Sequence, residues 1–296
     1  MSFWMEAKGQ SFQKQVLIWE THVENKYADL YSSVVWNKKV RKNWEEFRKV
    51  RLKESFEEYE TSYDDIIKYF ESFENTLNTQ IIRYSELFPD ADFGKTPIYA
   101  IPSLGSFNGK AGGLDSKQDE TILVFGLDLI HKRRDDPNIL YAHELFHIYH
   151  VDKMELNEKV AIEQGMLTLP LWLEGFATWI SGKLNPDKTI NYLMMDDKYL
   201  NIKNINIRKV ARKFLLNSEE KAFDDKSQKI YRSWFSSGAK PAVAELPDRI
   251  GYYLGYFVVD DINKHYGVSE MVHWKYDRAH KEVMKSLARL SYKKNK

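Results

Sequence analysis

From residue 11 to residue 88 the chain contains neither glycine nor proline. Those two residues interrupt local structure most strongly, so a stretch this long without them, dense in Glu, Lys and aromatics, predicts helices. Two apolar stripes support that expectation. Trp36, Val40, Trp44 and Phe47 recur at spacings of four, four and three, and Ile66, Ile67, Phe70, Phe73 and Leu77 trace a second stripe. Stripes at helical spacing form faces that pack into a core. Pro89 to Gly94 break the pattern, and Pro97 opens a different regime: IYAIPSL, then Gly105, Gly109, Gly112 and Gly113, then TILVFGLDLI. The two β-rich runs are expected strands joined by a hairpin or an irregular loop. The glycines are no phosphate loop, because no GKS or GKT follows and no helix begins at once.

Beyond residue 136 the chain is expected to be almost entirely helical, through PDKTINYLMMDDKYL, NIRKVARKFLL, SEEKAFDDKSQKIYRSW, GYYLGY and SEMVHWKYDRAHKEVMKSLARL. The stretch SSGAKPAVAELPDR reads as a loop, and the final SYKKNK as a solvated tail. The expected fold class is therefore α+β and mostly helical, with a small sheet. A helical region over residues 1–95 is expected to precede a second domain over 96–296.

At 296 residues the chain is long enough for a sizeable core without staples. Its 44 basic and 43 acidic residues leave a net charge of +1, which gives no overall field favouring nucleic acid or an acidic membrane. There is no cysteine, so disulfides and thiolate metal sites are excluded. Any metal must be held by histidine, carboxylate or water. No apolar run reaches the roughly 18 residues needed for a membrane span. The start, MSFWMEAKGQSFQKQVLIWE, lacks the basic and apolar regions of a signal peptide. A native start implies the cytoplasm and a trimmed one implies export. Oligomeric state is not legible.

The chemistry centres on HELFH, which places His143, Glu144 and His147 at i, i+1 and i+4. On a helix, i and i+4 share a face, so both imidazoles can reach one metal ion while Glu144 sits beside it. Ile139, Leu140, Ala142, Phe146 and Ile148 make this a buried helix, and Asp135, Asp136 and Pro137 are good helix-start residues. Glu174 follows 27 residues after His147, inside the apolar run LPLWLEGFATWI. A carboxylate in such surroundings needs a cation. Two histidines and a glutamate are one known ligand set for catalytic zinc, with a fourth position left to water. Zinc lowers the pKa of that water from about 15.7 to about 7, and a neighbouring carboxylate such as Glu144 can take its proton as it attacks a carbonyl. Glu163 is an alternative third ligand by distance, in the more polar run KVAIEQG.

HELFH followed by WLEGFA resembles the gluzincin metallopeptidases, whose third-ligand helix often reads W-L-x-E-G-x-A, one residue longer before the glutamate. The later run from Arg249 to Tyr256, RIGYYLGY, looks more particularly like the zinc-dependent proteases grouped as DUF2268. The resemblance covers residues 96 to 275. It implies a zincin-like catalytic domain with one zinc ion per chain, His143, His147 and Glu174 as ligands, Glu144 as general base, and a tyrosine of the GYYLGY run near the substrate oxyanion. It also implies that TILVFGLDLI is the strand at the rim of the cleft, binding extended peptide by backbone hydrogen bonds; on the residues alone an ordinary sheet strand is an equal reading.

There are departures. Thr178 stands where some gluzincins carry an aspartate that orients a histidine, and Lys153 stands where a metzincin would have its third histidine. His150, one turn beyond His147, has a supporting place.

Among the tyrosines Tyr252 is the first choice by its place in the motif, with Tyr253 next; Tyr256 is a further candidate. Gly251 and Gly255 lie four apart on one face, which suits close packing against another helix. Arg249, His265 and His273 are candidate donors with structural readings beside them. The expected activity is a zinc-dependent hydrolysis of peptide bonds in a peptide or protein substrate. The alternative is a weak or inactive zincin-like protein whose N-terminal helices bind a partner. Substrate specificity, and cleavage at an end or within a chain, are not legible.

Overall fold

The computed structural model describes residues 3–223 and 228–292 of the chain. It is mostly helical with one small mixed sheet, an α+β fold. Contacts divide it into two units, one of Met1–Ile82 with Asp92–Glu144, the other of Arg83–Ala91 with Leu145–Lys296.

The first unit begins with short helices α1 (Phe3–Ala7), α2 (Phe12–Trp19) and α3 (Ala28–Leu30), linked by π and 3-10 turns. Helix α4 (Trp44–Leu87) then runs for 44 residues and passes into the second unit. Its buried stripe is Leu52, Phe56, Tyr59, Tyr63 and Ile66, which meets Phe3, Trp4 and Trp19 in an aromatic core. Phe73, from the expected second stripe, packs its ring 5.3 Å from Tyr141. The first stripe fails at Val40, which is 74% exposed. Asn37 adopts a left-handed φ of 50°, and the turns that follow separate Trp36 from Trp44, so helical spacing does not carry across.

Strands β1 (Ile98–Ile101), β2 (Gly109–Leu114) and β3 (Lys117–Gly126) form a sheet in the order β1-β3-β2. β1 is parallel to β3; β2 is antiparallel to it, with Gly109 opposite Phe125 and Gly113 opposite Thr121. The glycine-rich stretch is thus one arm of a hairpin. Ile122, Leu123, Val124 and Phe125 are all fully buried, as a strand covered on both faces requires. The rim expectation is corrected here: TILVFGLDLI supplies the central strand, and its last residues turn into helix α5 (Leu127–Arg133). The strand stops because Asp128 is drawn inward, accepting hydrogen bonds from the backbone N–H of Ser103 at 2.7 Å and of Gly105 at 3.1 Å. The antiparallel edge is β2. Helix α6 (Pro137–Met154) follows and crosses into the second unit after Glu144.

The second unit continues with α7 (Glu158–Gln164), α8 (Thr168–Leu184), α9 (Ile190–Leu193), α10 (Asp197–Leu200), α11 (Ile207–Leu215), α12 (Gln228–Phe235), α13 (Ile250–Asn263), α14 (Val268–Met271) and α15 (Tyr276–Tyr292). Two segments expected as single helices are broken. PDKTINYLMMDDKYL divides into α9 and α10, where Asp196 caps α10 by accepting from the Lys198 N–H at 2.9 Å. SEMVHWKYDRAHKEVMKSLARL divides into α14 and α15. Residues 224–227 of SEEKAFDDKSQKIYRSW, and the KKNK of the tail, lie outside the described residues. α8 and α13 cross at Gly175 and Gly255: a Cβ on Gly255 would stand 2.6 Å from the Gly175 Cα. Among the described residues no helix is long and apolar enough to cross a membrane.

Candidate metal centre

Helix α6 starts where its sequence predicts. Asp136 accepts from the Asn138 N–H at 2.9 Å and so caps the helix, while Pro137 takes the first position, where its missing N–H costs nothing. Ile139, Leu140, Ala142, Leu145 and Phe146 are buried, which fixes the roll of the helix. That roll carries His143 into a position only 6% exposed and leaves Glu144 and His147 half-buried.

Helix α8 is buried on nearly all sides, as its composition requires. Its end is held by Arg83, which donates to the Leu184 carbonyl at 3.1 Å and to Asn185 Oδ1 at 2.6 Å, satisfying groups that a helix terminus otherwise leaves open. Gly175, next to Glu174, makes room for the backbone of α13: a Cβ there would stand 2.4 Å from the Gly255 Cα. Glu174 Oε2 stands 3.3 Å from His147 Nε2, with side-chain exposures of 20% and 17%.

His143, His147 and Glu174 come together: one ligand atom from each lies within 4.8 Å of the others. Two imidazole nitrogens and a carboxylate oxygen make a donor set suited to zinc, borderline in softness and indifferent to geometry. The residues present therefore fit the ion. Among the described residues no other group of three His, Cys, Asp or Glu side chains is gathered in this way.

Glu144 is positioned from the sheet. A Cβ placed on Gly109, the first residue of β2, would stand 2.7 Å from both Cγ and Cδ of Glu144. The glutamate side chain therefore lies over the face of the strand at Gly109, where a larger residue would displace it. Asn108 holds that edge: its Nδ2 donates to Asp135 Oδ2 at 2.8 Å, its Oδ1 accepts from the Gly109 N–H at 2.9 Å, and its carbonyl accepts from the Gly126 N–H at 2.9 Å.

The remaining candidates are distributed around this centre. Thr178, the position read as an absent orienting aspartate, donates its hydroxyl to the Glu174 carbonyl at 2.7 Å. Lys153 pairs with Asp90 at 2.6 Å. Glu163 is exposed on α7 and stands outside the cluster. His150 is fully buried against Phe146 and Phe176, with ring centroids 4.8 and 5.0 Å away; burial, with His147 nearby, lowers its pKa to about 3. His265 and His273 are exposed.

On α13, Tyr253 is 7% exposed and stacks on Tyr199 with centroids 5.9 Å apart. Tyr252 is half-buried beside Phe235, under the Arg249 guanidinium, which lies 4.6 Å from its ring centroid. Tyr256 stands beside Phe257 and close to Gly182. Sequence reasoning passed over Tyr231 on α12, whose hydroxyl is pushed up to about 12, first by burial and then by the Glu174 charge. It also passed over Asn108 and Gly109 as parts of the site. A glycine in a strand pattern was the one available signal, since it often marks close approach of backbone to another group.

No curated protein and no solved structure matches the chain. Residues 7–280 match the family described as putative zinc dependent peptidase, DUF5700, and with all but the two ends covered the protein belongs to that family.

Proposed function

We propose that this protein is a zinc peptidase in which His143, His147 and Glu174 hold the ion and Glu144 is the general base. The observation that carries this reading is the convergence of the three donors, with Glu144, on the helix of the two histidines, lying over β2 at Gly109. The family membership supports the same chemistry, as does the likeness of HELFH and WLEGFA to gluzincins and of RIGYYLGY to DUF2268.

Zinc bound there supplies Lewis acidity, lowering the pKa of a water and polarising the scissile carbonyl. Glu144 accepts the proton of the attacking water and delivers it to the departing amine nitrogen. β2 is a terminal strand of the sheet, the position from which an extended peptide can pair by backbone hydrogen bonds, and Gly109 leaves room for the carboxylate over its face. Tyr252, and after it Tyr253, are the α13 residues proposed to donate a hydrogen bond to the substrate oxyanion.

Protein purified without chelator is expected to carry about one zinc per chain and to cleave members of a mixed peptide library. Glu144→Gln is expected to keep the metal and lose turnover; His147→Ala is expected to lose the metal. A zinc-loaded wild type that cuts no peptide would refute the reading.

A further inference from the structure

The sheet has a second terminal strand, β1, within the first unit. β1 pairs with β3 in parallel, with Ile98 opposite Leu123, and the Leu123 N–H donates to the Pro97 carbonyl at 3.0 Å. In a parallel ladder alternate residues turn their backbone groups toward the same neighbour. Tyr99 and Ile101 therefore face β3, while the N–H and C=O of Ile98 and Ala100 face away from it, where the sheet has no further strand. Pro102 is next in the outward row. It has no N–H, and its carbonyl accepts from the Tyr31 hydroxyl at 2.9 Å, so the row closes there.

Along this edge lies a cavity of about 430 Å³. Residues 98–102 form one side of it, and His22, Val23, Lys26 and Tyr27, from the turns that follow α2, line it as well. The cavity thus follows the whole strand, a length of about 13 Å. Ile98, Tyr99 and Ala100 are half-buried, which leaves the edge within reach of solvent. Among the described residues no Asp or Glu lines the cavity. His22 is paired with Glu6 at 2.9 Å, whereas Lys26 is exposed and, among the described residues, makes no ion pair.

Backbone groups that recur every second residue fit one kind of ligand, an extended chain whose own groups repeat with the same period. A helix spends those groups internally. The ammonium of Lys26 adds a preference for a carboxylate on that chain. We infer that the groove between β1 and residues 22–27 binds an extended peptide segment bearing an acidic side chain, held by backbone pairing to Ile98 and Ala100 and by Lys26. β1 and β2 are the two ends of the sheet, about 10 Å apart across two strand spacings. The groove therefore binds without cutting, and its existence does not depend on the peptidase reading.

The test uses the full chain as Glu144→Gln, so that bound peptide is not consumed. The probe is a mixed library of capped octapeptides rich in Val, Thr and Tyr, half of them carrying one glutamate and half one lysine. Glutamate members are expected to bind in fluorescence polarisation, with or without a chelator. Methylating the backbone nitrogens of the best binder one at a time is expected to weaken it about tenfold at alternate positions and to leave the intervening ones unchanged. Ala100→Pro removes an outward N–H and leaves the ladder to β3 intact, so it is expected to weaken every binder about tenfold. Lys26→Glu is expected to reverse the preference toward the lysine members by about fivefold. If Ala100→Pro melts lower than its parent, Lys26→Glu, at an exposed position, decides alone. The inference is overturned if no library member binds, if the methylation pattern has no two-residue period, or if both variants retain full binding. Binding that vanishes with the chelator places the peptide at the metal centre, which overturns the groove and leaves the peptidase reading standing.

Discussion

The absence of one methyl group at Gly109 determines where Glu144 lies. An alanine there would bring its Cβ to 2.7 Å from Cγ and Cδ of the glutamate, closer than two carbons approach, so the carboxylate would have to turn away. Gly109→Ala is accordingly expected to retain zinc and lose on the order of 100-fold in kcat, the scale of a displacement of about 1 Å in a reacting group. A variant with wild-type kcat would show that Glu144 does not act from this position. His150 offers a second test. Neither of its nitrogens has a hydrogen-bond partner, and burial depresses its pKa from 6.5 to about 3. Between those values the unfolded chain binds the proton more readily than the folded one, so this residue's contribution is intact above about pH 6.5 and is lost as pH falls toward about 3. His150→Phe should lose less melting temperature than the wild type over that interval; equal acid sensitivity would rule out the assignment. HELFH was legible because i, i+4 spacing has one meaning on a helix, and Glu174 because a carboxylate in an apolar run requires a partner. Gly109 was not, because its significance depends on which distant residue faces it.

At the scale of elements, the positions of the ligands depend on how closely α8 and α13 cross. Both crossing residues are glycines whose missing Cβ atoms would meet backbone, which cannot move aside as a side chain can. Gly255→Ala is expected to destabilise by about 1–3 kcal/mol, read as a lowered melting temperature. Gly175→Ala should do the same and in addition weaken zinc binding, because it displaces the residue next to Glu174. Gly112→Ala on β2, where an added Cβ has nothing within 4 Å, should change neither property; equal behaviour of all three would contradict the close-crossing account. The four-residue spacing of Gly251 and Gly255 announced this packing in the sequence, though not the partner. The sheet was less legible. TILVFGLDLI has the unbroken apolar character of a strand covered on both faces, and that character itself argues for the centre of a sheet over its rim. The edge came instead from a glycine-rich run with weak strand propensity, whose pairing to β3 is set by the hairpin.

For the whole molecule, metal binding and folding are linked. The three candidate donors come from two helices, with Glu174 27 residues after His147 in sequence, and an unfolded chain does not gather them. Zinc held by these donors, as proposed, would bind the folded form selectively and stabilise it by mass action. At a free concentration about 100 times its Kd the gain is about 2.7 kcal/mol. For a chain of 296 residues that corresponds to a rise in melting temperature of about 4 °C. Adding a strong chelator to zinc-loaded wild type should lower the melting temperature by that amount, and restoring zinc should recover it. His147→Ala and Glu174→Ala should each show a greatly reduced response, since each removes one of three donors. Glu144→Gln should respond as the wild type does, because its carboxylate stands beside the donor set and contributes no ligand atom to it. A chelator response that survives loss of His147 would place the stabilising ion elsewhere in the chain, whereas a full response in Glu144→Gln without turnover separates the metal's structural contribution from the chemistry assigned to the base.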